Sequence, residues 1–346
     1  MTVAGEETAV PPDPVIDVVI CTYNRAPGLD RMLENLSRQS SDDRVQWRVL
    51  VVNNASTDNT AEVVTRHRRK ARLPDLRYVF EAAPGLTAAR LRGARETTAP
   101  WIAFVDDDNF LEPTWLAAIG RAIRSNGGAG GIGGKVILDW EAAPPRYLTE
   151  FGFCFAAQDH GDADCIVDGL AGAGMVLNRR ALLDCGWLDE PLVADRVGAK
   201  LTSGGDVEMA QRVRSAGYDL WYVADAVLRH HIPRRRMTRR YLFRIVRELG
   251  TSSAVIGLLT WPDDWQSWRL MARDRRHHWY GLAKRGLKHA IGCRSGFTSA
   301  IAWACFAFGF ARGVRLCERI AGPRRAKLLG AAALPYRDDR RPRLSA

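Results

Sequence analysis

The chain has 346 residues, 47% hydrophobic and 26% charged, a globular composition with material for one large or two ordinary domains. Seven scattered cysteines without a C-x-x-C pair argue against a structural zinc site and a disulfide framework, and fit a reduced cytoplasmic setting. The net charge of +11 is unevenly held: from Arg234 onward 25 Lys/Arg stand against 7 Asp/Glu, a balance of +18, while the remainder stands at −7, so the excess is not a uniform nucleic-acid-binding surface.

Residues 1–14 carry Glu6, Glu7 and three prolines without a basic-then-apolar pattern, and read as a loose tail and not a signal peptide. Val15-Ile-Asp-Val-Val-Ile20 is strongly β-branched and reads as the first strand. It ends in the polar turn Cys21-Thr22-Tyr23-Asn24-Arg25, and Leu29, Met32, Leu33 and Leu36 follow at helical spacing. A junction of this kind offers backbone N–H, hydroxyl and amide groups to a ligand.

The unit repeats. Trp47–Val52 reads as a second strand, followed by Asn53-Asn54-Ala55-Ser56-Thr57-Asp58 and a helix from about Ala61, with Ser56 or Asp58 as its cap. A third strand, Leu76–Phe80, leads into Pro84-Gly85 and a helix carrying Arg90, Arg92 and Arg95. Alternating strands and helices imply a mainly parallel sheet with polar strand ends along one edge.

The fourth strand is Trp101-Ile-Ala-Phe-Val, and it runs straight into Asp106-Asp107-Asp108. A short apolar run with β-branched ends reads as a strand buried on both faces. Its C-terminal end is where open parallel sheets place their ligands. Three adjacent carboxylates repel one another unless a cation neutralises them, and oxygen ligation suits Mg²⁺ or Mn²⁺. An isolated acidic triplet reads as a solvated turn; the position directly after a buried strand favours the metal.

The glycine-rich run from Gly127 to Gly134 lacks the order G-x-x-x-x-G-K-[ST] and reads as a flexible connection into a strand at Lys135–Leu138. Further on, Gly204-Gly205-Asp206 precedes Val207, Ala210 and Val213 at helical spacing, which seats Asp206 at a helix start, either as an N-cap or as a general base kept ionised by the dipole. Glu208 competes for the role of base. His230-His231 followed by Pro233 reads as a strand end, packed or solvated, or as a metal ligand.

After Arg234 the chain is basic, with apolar stretches at 254–261 and 296–311 and several tryptophans nearby. Aromatics mixed with cations beside short apolar helices suit a membrane surface bearing anionic lipid. A packed helical subdomain with a solvated basic face is the competing reading. The second stretch is at the short end of what a membrane span needs.

The ordered set C-T-Y-N-R, V-V-N-N-A-S-T-D, P-G-L-T-A-A-R and F-V-D-D-D resembles the family 2 glycosyltransferases, and the likeness continues through Gly172-Ala173-Gly174-Met175, the Asp206 segment and His230-His231. It covers roughly residues 15–240. The resemblance implies an α/β fold of the GT-A, Rossmann-like type, with a mainly parallel sheet flanked by helices. It divides the chain into a tail (1–14), a catalytic domain (15–240) and a helical, basic C-terminal region (241–346). It implies transfer of a sugar from a nucleotide-diphosphate sugar to a saccharide or lipid-linked acceptor, with inversion and with Mn²⁺ or Mg²⁺, in polysaccharide or glycolipid synthesis.

Carried over position by position, the resemblance assigns Thr22, Asn24, Asp58 and Arg90 to the nucleotide, and with them Tyr23, Arg25, Asn53, Asn54 and Asp106. Asp107 and Asp108 match the metal-and-diphosphate pair, His230 a histidine that closes the metal site, and Asp206 the general base. Gly174, Met175 and Gly205 fall on the acceptor side. Three positions depart from the family: Asn53 stands for an aspartate, Leu91 stands for the asparagine of A-R-N-x-G in Ala89-Arg90-Leu91-Arg92-Gly93, and Gly205 replaces the glutamate before the base. A nucleotidyltransferase on a similar fold, or a catalytically weak nucleotide-sugar-binding relative, is the alternative. No nucleic-acid partner is expected, and peripheral membrane contact through the C-terminal region would set the protein at the inner face of the cell membrane.

Overall fold

Strand β1 (Val15–Thr22) turns Ile16, Val18 and Ile20 to one face and Val19 to the other, and all four are fully buried. A strand apolar on both faces belongs inside a sheet covered on both sides. The computed structural model describes residues 13–40, 44–196, 201–259, 261, 264–289, 294–320 and 322–323, and it has this arrangement. The tail expected at 1–14 lies almost wholly outside the described residues.

The first half of the chain alternates strand and helix: β1, α1 (Ala26–Leu36), β2 (Gln46–Asn53), α2 (Thr60–Lys70), β3 (Leu76–Phe80), α3 (Leu86–Glu96) and β4 (Trp101–Asp106). The four strands are mutually parallel, in the order β3-β2-β1-β4. The chain leaves β1 toward β2 and returns to its other side as β4. Loops after β1 and β4 therefore diverge, which opens a crevice at their carboxyl ends.

The second half adds β5 (Asn109–Leu111), α4 (Trp115–Ser125), β6 (Ala129–Trp140), α5 (Arg146–Thr149), β7 (Cys165–Ile166), β8 (Met175–Asn178), α6 (Arg179–Asp184), α7 (Gly205–Ser215) and β9 (Asp219–Ile232). Here the pairing is mixed: β8 is antiparallel to β4 and β6, β5 and β7 are antiparallel to β9, and β6 is parallel to β9. The sheet, expected to be mainly parallel, is parallel throughout its N-terminal half and mixed in its second, where β6–β9 is the parallel pair. Leu29, Met32 and Leu33 of α1, Val63 of α2 and Trp115 of α4 cover one face, and Ala89 of α3, Leu182 of α6 and Met209 of α7 cover the other.

The glycine run is not a flexible connection. Gly130, Gly131, Gly133 and Gly134 lie inside the twelve-residue β6, and all four are buried. A Cβ at Gly134 would overlap the backbone carbonyl of Ala226 in β9, where the ladder has a bulge between Gly134 and Val136. The missing side chains let neighbouring strands and Tyr218 close on the sheet.

A third core joins α8 (Arg239–Ile256), α9 (Trp265–His289) and α10 (Arg294–Glu318) to Leu148, Phe151, Phe155 and Ile232. The boundary expected at 240 falls inside α8, and this helical layer shares apolar contacts with the preceding segment. Among the described residues, Gly296–Glu318 is the one stretch long and apolar enough to cross a membrane. It lies directly on α8: a Cβ at Gly309 or Gly313 would overlap the carbonyls of Arg247 and Thr251, Thr251 Oγ1 donates to Gly309 O at 3.1 Å, and Arg312 pairs with Glu248 at 3.2 Å.

Candidate active site

Register brings the site together. Cys21 lies beside Asp106 in the β1–β4 ladder, so Thr22 and Asp107 emerge side by side, and Thr22 Oγ1 donates to Asp107 Oδ2 at 2.7 Å. Arg25, three residues on, lies across two carboxylates, with Nε 2.9 Å from Asp107 Oδ1 and Nη1 3.2 Å from Asp108 Oδ2. The strand after Asp108 pairs with β9, Asn109 opposite His230, and this sets His230 Nε2 3.5 Å from Asp108 Oδ1. Arg236, in the short 3₁₀ turn after β9, reaches Asp108 Oδ2 at 3.2 Å.

These charges separate the three aspartates. Burial pushes the Asp107 carboxyl up to about 7, against the pull of Arg25. It raises Asp106 as well, with Arg90 opposing. For Asp108 burial acts in the same sense but is outweighed by the protonated form of His230, which is present at the low pH where Asp108 titrates, and by Arg236 and Arg25, which together hold it below the usual carboxylate range. Burial pushes His230 down, so its ring is neutral at pH 7, although Asp108 opposes this.

The ring's hydrogen bond fixes its tautomer. Nδ1 donates to Phe155 O at 2.7 Å, which leaves a lone pair on Nε2 facing the Asp108 carboxylate. Two lone pairs so placed fit a cation between them. Among the described residues no group of three or more His, Cys, Asp and Glu side chains converges as a complete metal site. Asp108 and His230 would therefore supply part of a coordination shell, and phosphate or water oxygens the rest, as Mg²⁺ and Mn²⁺ commonly accept.

Asp206 lies in the first turn of α7 and accepts from Gly172 N at 3.0 Å and Val207 N at 2.9 Å. An added Cβ at Gly172 would sit 2.5 Å from its Oδ2, so the glycine there permits the contact. Each oxygen keeps accepting capacity. Glu208 is turned away and fully buried: it accepts from Leu192 N, Val193 N and Arg212 Nε, and these bonds pin the 192–195 segment against α7. That environment excludes it as the base.

Thr22, Tyr23, Asn24, Arg25, Asn54, Arg90, Asp106, Asp107, Asp108, Asp206 and His230 all line one cleft of about 1090 Å³. Other expected site residues lie outside its lining. Asn53 is closed off, donating to Tyr78 OH and accepting from Ser56 N. Asp58 accepts from Ala26 N and from Thr60 N and Oγ1, so it joins the starts of α1 and α2. The residue expected to cap α2 thus works on two helices, and Ser56 accepts instead from Asn24 N. Gly174 has φ +68 and packs under Leu228, Met175 is fully buried on β8, and Gly205 is closed by Asp195. His231 turns to Asp139, 3.2 Å away.

Several lining residues were invisible in the sequence. Asp195 and Arg196 come from a loop without a motif, and Arg235, Arg236, Tyr241, Trp279 and Trp303 come from the basic last third. For Arg236 the signal was available: an arginine triplet begins four residues after His230. Asp195 is 3% exposed, and burial and the Asp206 charge push its carboxyl up to about 7 against Arg90. Arg90 itself is buried between Asp106 at 3.8 Å and Asp195 at 3.9 Å. The described cysteines are all free, and burial raises the cleft-lining Cys21 thiol to about 12.

Residues 17–184 match the family model described as Glycosyl transferase family 2. Over 108 residues, 31% of this chain, the sequence is 37% identical to the validoxylamine A glucosyltransferase of Streptomyces hygroscopicus subsp. jinggangensis, and the match spans 25% of that relative's length. A longer match, 23% identical over 293 residues, covers 84% of this chain and 85% of the succinoglycan biosynthesis protein ExoM of Rhizobium meliloti. The fold is similar to that of the mannosyltransferase PcManGT from Pyrobaculum calidifontis, solved with GDP-Man and Mn²⁺, with TM-score 0.52 and 20% identity over 94% of this chain and 87% of that one. It is also similar to S. aureus TarS 1-349 in complex with UDP-GlcNAc, with TM-score 0.51 and 15% identity over 92% and 87% of the two chains. At these identities the structural likeness speaks for the fold alone.

Proposed function

This chain is a family 2 glycosyltransferase, and from that premise we propose that it moves a sugar from a nucleotide-diphosphate sugar to a hydroxyl acceptor with inversion at the anomeric carbon. The observation that carries this is one cleft with a diphosphate end and a base end: Thr22, Arg25, Asp107, Asp108 and His230 at the first, Asp206 at the second. Arg25 and Arg236 orient and neutralise the diphosphate. When bound, Mn²⁺ or Mg²⁺ at Asp108 and His230 supplies positive charge against the negative charge that builds on the leaving phosphate. Asp206 takes the acceptor hydroxyl proton as the oxygen attacks. Its place in the first turn of α7 sets the carboxylate at the positive end of the helix dipole.

The acceptor is a saccharide or a lipid-linked saccharide, in polysaccharide or glycolipid synthesis. The long match to the succinoglycan biosynthesis protein supports this reading. So does the aromatic far wall of the cleft, where Phe153, Tyr241, Trp279 and Trp303 extend it beyond the aspartates. Peripheral contact with the inner face of the membrane is part of the same reading, supported by exposed Phe297 and Phe308 on α10 and exposed Leu270 on α9.

The test is a screen of nucleotide sugars for release of nucleoside diphosphate, with Mn²⁺, Mg²⁺ or chelator. One donor turned over only with metal is the expected result; no turnover of any donor, with or without saccharide acceptors, overturns the reading.

A further inference from the structure

Asp195 is an anomaly in the cleft. Its Oδ2 accepts from Gly205 N at 2.9 Å and faces Arg90 Nη1 at 3.9 Å, whereas Oδ1 is buried and has no partner among the described residues. A buried carboxylate oxygen left without a hydrogen bond destabilises the free protein unless a ligand supplies a donor. The residue is not loosely held. Asp195 N donates to Thr87 Oγ1 at 2.9 Å, Leu86 N donates to Asp195 O at 2.9 Å, and the preceding segment is pinned by Glu208. Three elements, the starts of α3 and α7 and the 192–195 segment, hold one carboxylate against the cleft wall.

Its position tells which part of a ligand it meets. Asp106, Arg90 and Asp195 form a row, with gaps of 3.8 and 3.9 Å, that begins at the diphosphate end and reaches the residue packed against α7 beside Asp206. In the proposed reaction the atom that changes partners lies between the diphosphate and the base. Asp195 closes that row on the side of the base, one residue contact from Asp206, and so stands where the sugar being transferred must lie. We infer that Asp195 Oδ1 accepts a hydrogen bond from a hydroxyl of the donor sugar and so selects a neutral hexosyl nucleotide over a uronic-acid donor. This rests on the glycosyltransferase reading. A carboxylate accepts from a hydroxyl, finds nothing to accept from at a deoxygenated carbon, and repels a second carboxylate. Arg90 is already set between two carboxylates, and Arg196, the other cation that acts on Asp195, is shared with Asp106 and Asp108.

Asp195→Asn is a sharp probe. Gly205 N–H keeps an oxygen on its side, so the amide presents NH₂, a donor, where an acceptor is needed. Binding of UDP-glucose, UDP-GlcNAc, GDP-mannose and UDP-glucuronate, and of UDP and GDP alone, is measured by calorimetry with Mn²⁺ at about pH 8.5, where a carboxyl titrating at about 7 is ionised, for the full-length wild type, Asp195→Asn and Asp195→Ala, with melting temperatures alongside. The wild type is expected to favour a neutral hexosyl nucleotide. The asparagine variant is expected to lose roughly ten- to a hundredfold in affinity for that donor relative to its bare nucleotide, with the nucleotide itself unchanged within about twofold and the fold intact. The donor lacking the contacted hydroxyl should show the same loss on the wild type and no further loss on the variant. Equal losses for sugar nucleotide and bare nucleotide, no loss at all, or a wild-type preference for UDP-glucuronate overturns the inference while leaving the enzyme class intact. A wild type that binds no sugar nucleotide overturns the glycosyltransferase reading and this inference with it.

Discussion

His230 Nε2 stands 3.5 Å from Asp108 Oδ1 although 122 positions separate them, because the three-residue strand after Asp108 is antiparallel to the end of β9. The two residues are thus held by backbone pairing and not by a loop, and the Nδ1 bond to Phe155 O fixes the ring's orientation. Removing either should act on the cation first. His230→Ala is expected to weaken Mn²⁺ binding by at least roughly tenfold, and Asp108→Ala to abolish metal-dependent turnover. Calorimetric titration of Mn²⁺ in the presence of UDP or GDP checks the first, and full activity in excess chelator would refute the second.

The second prediction separates chemistry from binding. Among the described residues, Asp206 accepts hydrogen bonds from Gly172 N and Val207 N, and an asparagine oxygen can accept from one of them. Asp206→Asn should lower kcat by about 10²–10⁴-fold and leave nucleotide affinity nearly unchanged. With Glu208 closed by Leu192, Val193 and Arg212, an unaltered kcat would leave general-base catalysis by this helix without a candidate.

What was legible in the sequence follows from how local its cause is. The four parallel strands and their helices were readable because apolar periodicity is set by each segment's own burial, and Leu76–Phe80 falls where the pattern put it. Thr22, Arg25 and Asp106–Asp108 were readable because they sit at strand ends, where chain order alone brings them together. The glycine run misled, since β propensity says nothing of a strand whose neighbours press too close for side chains. Asp195 was illegible for a different reason. Its importance comes from three long-range tethers, to Thr87, Gly205 and, through Leu192 and Val193, to Glu208. The departure at Gly205 also has a physical counterpart: a Cβ there would lie 2.5 Å from Asp195 Oδ2, so Asp195 fills the space a larger residue would need.

The third prediction concerns pH. The Asp195 carboxyl titrates at about 7 when folded, against 3.8 as its ordinary value, because burial and Asp206 disfavour its charge. Between those two values the folded state holds the proton and the unfolded state does not, so stability from this group is present at low pH and lost as pH rises toward 7. Asp195→Asn removes the titration. The melting temperature of the wild type relative to the variant should therefore fall between pH 5 and pH 8. A difference that stays flat, or that rises, contradicts the assignment.

The last prediction concerns the C-terminal layer. Removing it whole is no test, since α8 and α10 share a core with Phe151, Phe155 and Ile232 and line the cleft. The outward side is separable. Phe297 and Phe308 are 54% and 53% exposed on α10, and Leu270 is 63% exposed on α9. The groove between the two helices carries Arg269, Arg273, Arg276 and Arg315. If this side meets the membrane, apolar burial and attraction of arginines to anionic headgroups act together, the latter about 1 kcal/mol for each one near the surface and screened by salt. The full chain should then pellet with vesicles containing phosphatidylserine at low salt and be partly released at high salt. Phe297→Ser with Phe308→Ser should weaken binding at both salts, whereas Arg273→Gln with Arg315→Gln should weaken it mainly at low salt. Equal binding to neutral and anionic vesicles would make apolar insertion the dominant force. No binding to either would leave α9 and α10 as a packed layer whose task is to wall the cleft.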